Sequence, residues 1–122
     1  MKKVAFFLLT LCLMSCYEQK RDCTNYKIGK FVFEHEIDGK TEQSIFERKD
    51  SLQIETYNGK IDTATVRWIN DCEFVLQKLH PKSMNDKKAI HMKILSTTAN
   101  GYTFEYSFVG ESVKKKGTVT KQ

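Results

Sequence analysis

The chain has 122 residues, four cysteines and a net charge of +5 from 20 basic and 15 acidic residues. This length holds one small domain once any leader is set aside. A charge this mild leaves no footprint for nucleic acid, and no apolar run reaches the ~20 residues of a membrane-spanning helix.

The first segment reads as a leader. Lys2 and Lys3 precede an apolar run from Val4 to Met14. Small Ser15 then stands before Cys16, with Leu13 three positions ahead of that cysteine. Leu13-Met14-Ser15-Cys16 resembles a bacterial lipobox, which implies a signal peptide over residues 1–15 and diacylglycerol on Cys16. Cys12 follows bulky Leu11 and is the poorer acceptor. The alternative is an ordinary secretory signal with an incidental cysteine. Residues 16–26 then form the lipidated N-terminus and a polar tether, and residues 27–122 a single β-domain. Without Lys2 and Lys3, 18 basic residues face 15 acidic ones, a net charge of +3. Several acyl chains on one cysteine hold a protein firmly to a membrane. No aspartate follows Cys16, a feature that keeps some lipoproteins in the inner membrane, and no acidic run follows of the kind linked to surface export. The expected place is the periplasmic face of the outer membrane.

Two cysteines remain for the mature chain, Cys23 and Cys72. In an oxidising compartment an even pair implies a disulfide. Such a bridge closes a loop worth about 4 kcal/mol in the chain-entropy model. A metal site is the alternative, but two distant cysteines lack partner ligands.

From Lys27 the pattern is strand, turn, strand. Phe31, Phe33 and Ile37 alternate with Val32, Glu34 and Glu36, the period of a half-buried strand. Asp38-Gly39 is a two-residue hairpin signal. Lys40 to Arg48 is the weakest strand, with only Ile45 and Phe46 apolar. Leu52, Ile54 and Thr56 alternate next, and Asn58-Gly59 marks another hairpin. Ile61 to Ile69 sets Ala64, Val66 and Trp68 on one face, and Cys72 to Leu79 does the same with Phe74 and Leu76. His80 to Lys88 breaks the rhythm with the one proline, and Ser83 is a fit N-cap for a short helical turn. Ile90, Met92 and Ile94 resume the alternation. Asn100-Gly101 reads as a hairpin turn before Tyr102, Phe104, Tyr106 and Phe108, the cleanest alternation of all. Val113 to Lys121 is a basic last strand.

Short turns force antiparallel neighbours, so these strands imply an all-β, eight-stranded up-and-down meander. A meander of this size can close and remove its edges, giving a small lipocalin-like barrel or a curled sheet. A two-sheet sandwich is the alternative. The residues expected inside are Phe31, Phe33, Leu52, Ile54, Val66, Trp68, Phe74, Leu76, Ile90, Met92, Ile94, Tyr102, Phe104, Tyr106 and Phe108.

No catalytic motif stands out. The chain has no His-Glu-x-x-His pair, no Gly-x-Ser-x-Gly elbow and no glycine-rich phosphate loop, so neither an enzyme, a cofactor nor a metal is expected. His35 and His91 lie on strands and can meet across a barrel, but a metal there needs a third ligand. Trp68, Tyr102, Phe104, Tyr106 and Phe108 either line an apolar ligand or fill the core. Lys114-Lys115-Lys116 reads as a protected strand edge, or as a contact for anionic lipid headgroups.

The segment Ile61 to Leu79 (IDTATVRWINDCEFVLQKL), with Gly29-Lys30-Phe31 before it and His91 to Leu95 after it, resembles a group of small uncharacterised bacterial lipoproteins. Some of that group carry the label DNA topoisomerase IV. A type II topoisomerase needs a nucleotide-binding domain, an acidic metal cluster and a nucleophilic tyrosine on a DNA-binding domain. The chain offers none of these, so the label reads as an artefact. The expected function is a non-enzymatic envelope module that holds or assembles a partner protein. The alternative is a lipocalin-like carrier of a small apolar ligand.

Overall fold

The computed structural model describes residues 21–122. The lipobox and Cys16 lie outside the described residues. Eight strands follow one another: Gly29–Ile37 (β1), Lys40–Arg48 (β2), Leu52–Tyr57 (β3), Lys60–Asn70 (β4), Glu73–Lys78 (β5), Ile90–Thr97 (β6), Gly101–Phe108 (β7) and Lys115–Lys121 (β8). Each pairs antiparallel with the one before it, and β8 returns to β1. The sheet is therefore a closed up-and-down barrel, and the sandwich alternative falls. The closing seam is short, matching Phe31, Val32 and Phe33 with Lys121, Thr120 and Val119.

Two hairpins form as the sequence demands. Asp38 and Gly39 have φ of 53° and 77°, and Asn58 and Gly59 have 49° and 73°. Positive φ at both central positions is the turn geometry whose twist matches the flanking strands. Asn100-Gly101 behaves differently. There the Thr98 N–H donates to the Gly101 carbonyl at 2.8 Å, and Gly101 opens β7. A Cβ on Gly101 would stand 2.2 Å from the Val119 carbonyl oxygen. This glycine serves a close strand approach, not a turn. Gly101→Ala must push β7 from β8, and is expected to cost about 1–3 kcal/mol as an overpacked site. The check is the urea midpoint of the variant; a midpoint equal to wild type would contradict this packing.

The long connection between β5 and β6 carries a 3-10 turn, Asn85–Lys87. Ser83 Oγ accepts from the Asp86 N–H at 3.2 Å, the capping contact expected of it. At the other end of the barrel a second 3-10 turn, Cys23–Tyr26, packs into the core. Cys23 and Tyr26 are buried, and Cys23 is bridged to Cys72 with Cα atoms 5.2 Å apart. The Tyr26 hydroxyl donates to the Thr98 carbonyl at 2.7 Å, and Lys121 Nζ donates to the Asn25 carbonyl at 2.7 Å. Apolar and hydrogen-bonding partners thus draw this part of the tether onto the barrel end as a plug. The ordered domain starts ahead of residue 27.

The core fills the plugged half. Phe31 stacks on Phe46 with centroids 5.1 Å apart and meets Tyr102 edge-on at 5.9 Å. Gly117 leaves room for the rings of Phe33 and Phe104, which a Cβ would approach within 3 Å. Most residues expected inside are there, but Leu52 and Ile54 face outward. Arg48 pairs with Gln53, and Phe46 with Glu55, so Gln53 and Glu55 take the interior positions of β3. Side chains alternate with period two, so fixing Phe46 and Arg48 inside sets the parity of β3 through the short turn between them. All eight strands have two strand neighbours, and the plug closes one end. Residues 21–122 thus complete their own sheet and core.

Candidate functional site

The centre of the plugged half is Arg48, at 1% exposure. Its Nε donates to Gln53 Oε1 at 3.1 Å, Nη1 to the Tyr26 carbonyl at 2.5 Å and Nη2 to the Tyr102 hydroxyl at 2.9 Å. Its guanidinium carbon stands 4.5 Å from the Phe74 ring centroid, 4.9 Å from Phe31, 5.5 Å from Phe46 and 5.8 Å from Trp68. Four ring faces offset part of the cost of burying a cation. Among the described residues, no carboxylate forms an ion pair with Arg48.

Above Arg48 the barrel is hollow. A chamber of about 190 Å³ is bounded by Arg48, Gln53, Glu55, Tyr102, Phe104 and Tyr106, among others. Through Gln53, Glu55, Leu76 and Ile90 it adjoins a hollow of about 260 Å³ that reaches Asp62 and Lys78. Through Ile90 and Tyr106 it adjoins a cleft of about 350 Å³ between Phe108, Val113 and Lys115. The chamber alone is smaller than the ~300 Å³ common for ligand pockets. The floor is plugged and the other end is open.

The mouth is charged. Lys78 bridges Asp62 at 3.0 Å and Asp86 at 3.3 Å. Hydrogen bonding to Asp62 holds the Lys78 ammonium above its ordinary range. Burial, aided by the Asp62 charge, raises the Glu55 carboxyl above its ordinary 4.5. The folded barrel therefore holds more protons than the unfolded chain from about that value upward. Stability from this group is full below the unfolded value and falls as pH rises through the raised one. Glu55→Gln is expected to stabilise the barrel at neutral pH and to give no gain under acid conditions. Thermal melts of both proteins across pH check this; a gain confined to low pH would contradict it.

The aromatic residues picked out by sequence divide. Tyr102, Phe104 and Tyr106 face the chamber, and Phe108 faces the outer cleft. Trp68 faces neither hollow; it packs on Phe74 at 4.5 Å, with Lys27 Nζ 5.1 Å from its centroid. His35 and His91 do not meet. His35 lies on the inner face, stacked on Phe33 at 5.3 Å, whereas His91 points outward to Glu73 at 3.0 Å. Among the described residues no cluster of three histidines, cysteines or carboxylates can hold a metal. The lysine run does stand at an edge, because β1 meets β8 only at Val119, Thr120 and Lys121, and Lys115 and Lys116 pair with β7 alone. Lys114 reaches Glu105 at 3.4 Å, and Lys115 turns to the mouth. Sequence reasoning missed Arg48, Gln53 and Glu55. The available signal was parity: Arg48 falls two residues after Phe46 and so shares its face.

The fold and the hollow define a closed eight-stranded barrel with one plugged end and one open end. No protein-family model, curated protein or solved structure matches the chain.

Proposed function

We propose that the chain is a membrane-anchored, non-enzymatic binding protein of the bacterial cell envelope whose barrel holds a small amphiphilic molecule. The observation that carries this reading is the interior chamber, floored by Arg48 and Tyr102 and lined mostly by apolar side chains. Lipid on Cys16 gives the barrel a direction. Six residues lie between Cys16 and Cys23, and these seven chain steps reach at most about 25 Å. The plugged floor then sits toward the membrane and the mouth opens away from it, toward the periplasm if the anchor is in the outer membrane. The likeness to small bacterial lipoproteins supports the same address. Calorimetric titration of residues 17–122 with octanol tests the binding. Saturable one-to-one uptake with a negative heat-capacity change is expected, the mark of apolar burial. Heat without saturation, or none, would sink the reading. Palmitate labelling that persists in Cys16→Ser would remove the anchor.

A partner-holding module is the second reading. It is favoured by an apolar row on the outer face, where Val32 lies beside Ile45 and Thr56 beside Ile61. Ile45 is 45% and Ile61 73% exposed. Crosslinking in intact envelopes that recovers one partner through Ile61, and none after Ile61→Ser, would favour it.

A further inference from the structure

The floor of the chamber carries more hydrogen-bond donors than acceptors. A guanidinium has five N–H groups and accepts nothing. Arg48 places one each on Gln53, Tyr26 and Tyr102. The Tyr102 hydroxyl is the acceptor in its contact, so its own proton points elsewhere. Each guanidinium nitrogen and the Tyr102 oxygen thus has one partner among the described residues, and these three bonds use three of the five Arg48 N–H groups and not the Tyr102 proton. Burial holds the Tyr102 phenol above its ordinary range even beside Arg48, so the proton stays on. Both residues border the chamber.

A buried cation without a counter-charge strongly favours an anion that can reach it. The flat fork of a guanidinium suits a carboxylate, and a hydroxyl donor alongside adds a charge-assisted bond. The rest of the chamber wall is mostly apolar, with Phe104, Met92, Ile90 and Leu76 leading outward. Glu55 also borders the chamber, but among the described residues it forms no ion pair with Arg48.

We propose that Arg48 and the Tyr102 hydroxyl form a carboxylate-binding site at the chamber floor, and that the ligand is a short-chain carboxylate amphiphile entering head first. This rests on the reading of the barrel as a carrier and names the chemical class it carries. The carboxylate accepts from Arg48 and Tyr102, and its chain lies along Phe104 and Met92 toward Phe108.

The test compares octanoate with octanol, by calorimetry near pH 7.5, on residues 17–122 of the wild type, Arg48→Met and Tyr102→Phe. Octanoate is expected to bind about tenfold tighter than octanol to the wild type, the worth of one charge-assisted contact. Tyr102→Phe keeps the ring and should remove most of that preference for octanoate over octanol. Arg48→Met should abolish it; if that variant does not fold, Tyr102→Phe decides. Equal binding of both probes to the wild type overturns the carboxylate site and leaves the carrier standing. A preference that survives both substitutions also overturns it, placing the carboxylate at Lys78 or Lys115. Failure of both probes brings down the carrier and the site together.

Discussion

Replacing Cys23 and Cys72 together by serine is expected to lower stability by about 4 kcal/mol. The bridge spans 49 positions of sequence, and opening a loop of that size returns this much chain entropy to the unfolded state. For a domain near this length, each kcal/mol moves the melting temperature by about 4–8 °C, so a fall of roughly 15–30 °C follows. The loss has a second part. Without the bridge the plug stays on through the buried Tyr26 ring, its carbonyl on Arg48, and hydrogen bonds of Tyr26, Asn25 and Arg21 to the 98–100 turn, β8 and β6. Each such bond contributes only about 1 kcal/mol net. The floor under Arg48 should then open more often than the barrel unfolds. Hydrogen exchange at residues 23–27 reads this directly. Exchange there that rises far more than at β4 and β5 is the expected pattern; a melting temperature within a few degrees of wild type would contradict it.

Arg48→Ala is the second large effect, expected at about 3–5 kcal/mol. It empties a fully buried volume between four aromatic rings, and large-to-small changes in cores fall in this range. It also strips the Tyr26 carbonyl and Gln53 Oε1 of their donor. Arg48→Met separates the two causes. Methionine refills most of the space and suits the aromatic lining, and buried charges replaced by apolar groups often cost little. The methionine variant is expected to lose about 1–2 kcal/mol, chiefly through the orphaned carbonyl. Urea unfolding of the three proteins checks the order. If Arg48→Met falls as far as Arg48→Ala, the guanidinium is a structural keystone and its tolerance in the core needs no ligand. If it nearly matches wild type, the cation is retained at the floor for a reason other than stability.

The barrel was legible in the chain because its signals are local. Asp38-Gly39 and Asn58-Gly59 dictate tight hairpins, and Tyr102 to Phe108 alternates without a break. Short connections leave antiparallel pairing as the one topology, and closure follows from the number of strands. The disulfide followed from setting aside Cys12 and Cys16 of the expected lipobox leader and counting the two cysteines that remain. The site was not legible, because its parity is set at a distance. On β3 the apolar residues Leu52 and Ile54 look like the core face, yet pairing with Phe46 and Arg48 turns Gln53 and Glu55 inward. Composition favours one face and register imposes the other. Arg48 sits at the end of the least apolar strand, where nothing local announces a buried cation. Gly101 was legible only in part. Asn-Gly marks the β6–β7 hairpin, which forms, but the contact that requires glycine comes from β8, almost twenty residues later.

The most direct measurement is a nitrogen–proton spectrum of the Arg48 side chain during titration of residues 17–122 with octanoate. Arg48 Nε–H is shielded from solvent and bonded to Gln53, so it should give a sharp, separate signal. The expected result is a shift of that signal together with the Met92 methyl inside the chamber, at one shared midpoint, while Met84 on the outer loop stays still. A shift at Met84 with Arg48 and Met92 unmoved would contradict the account and leave the barrel a solid scaffold.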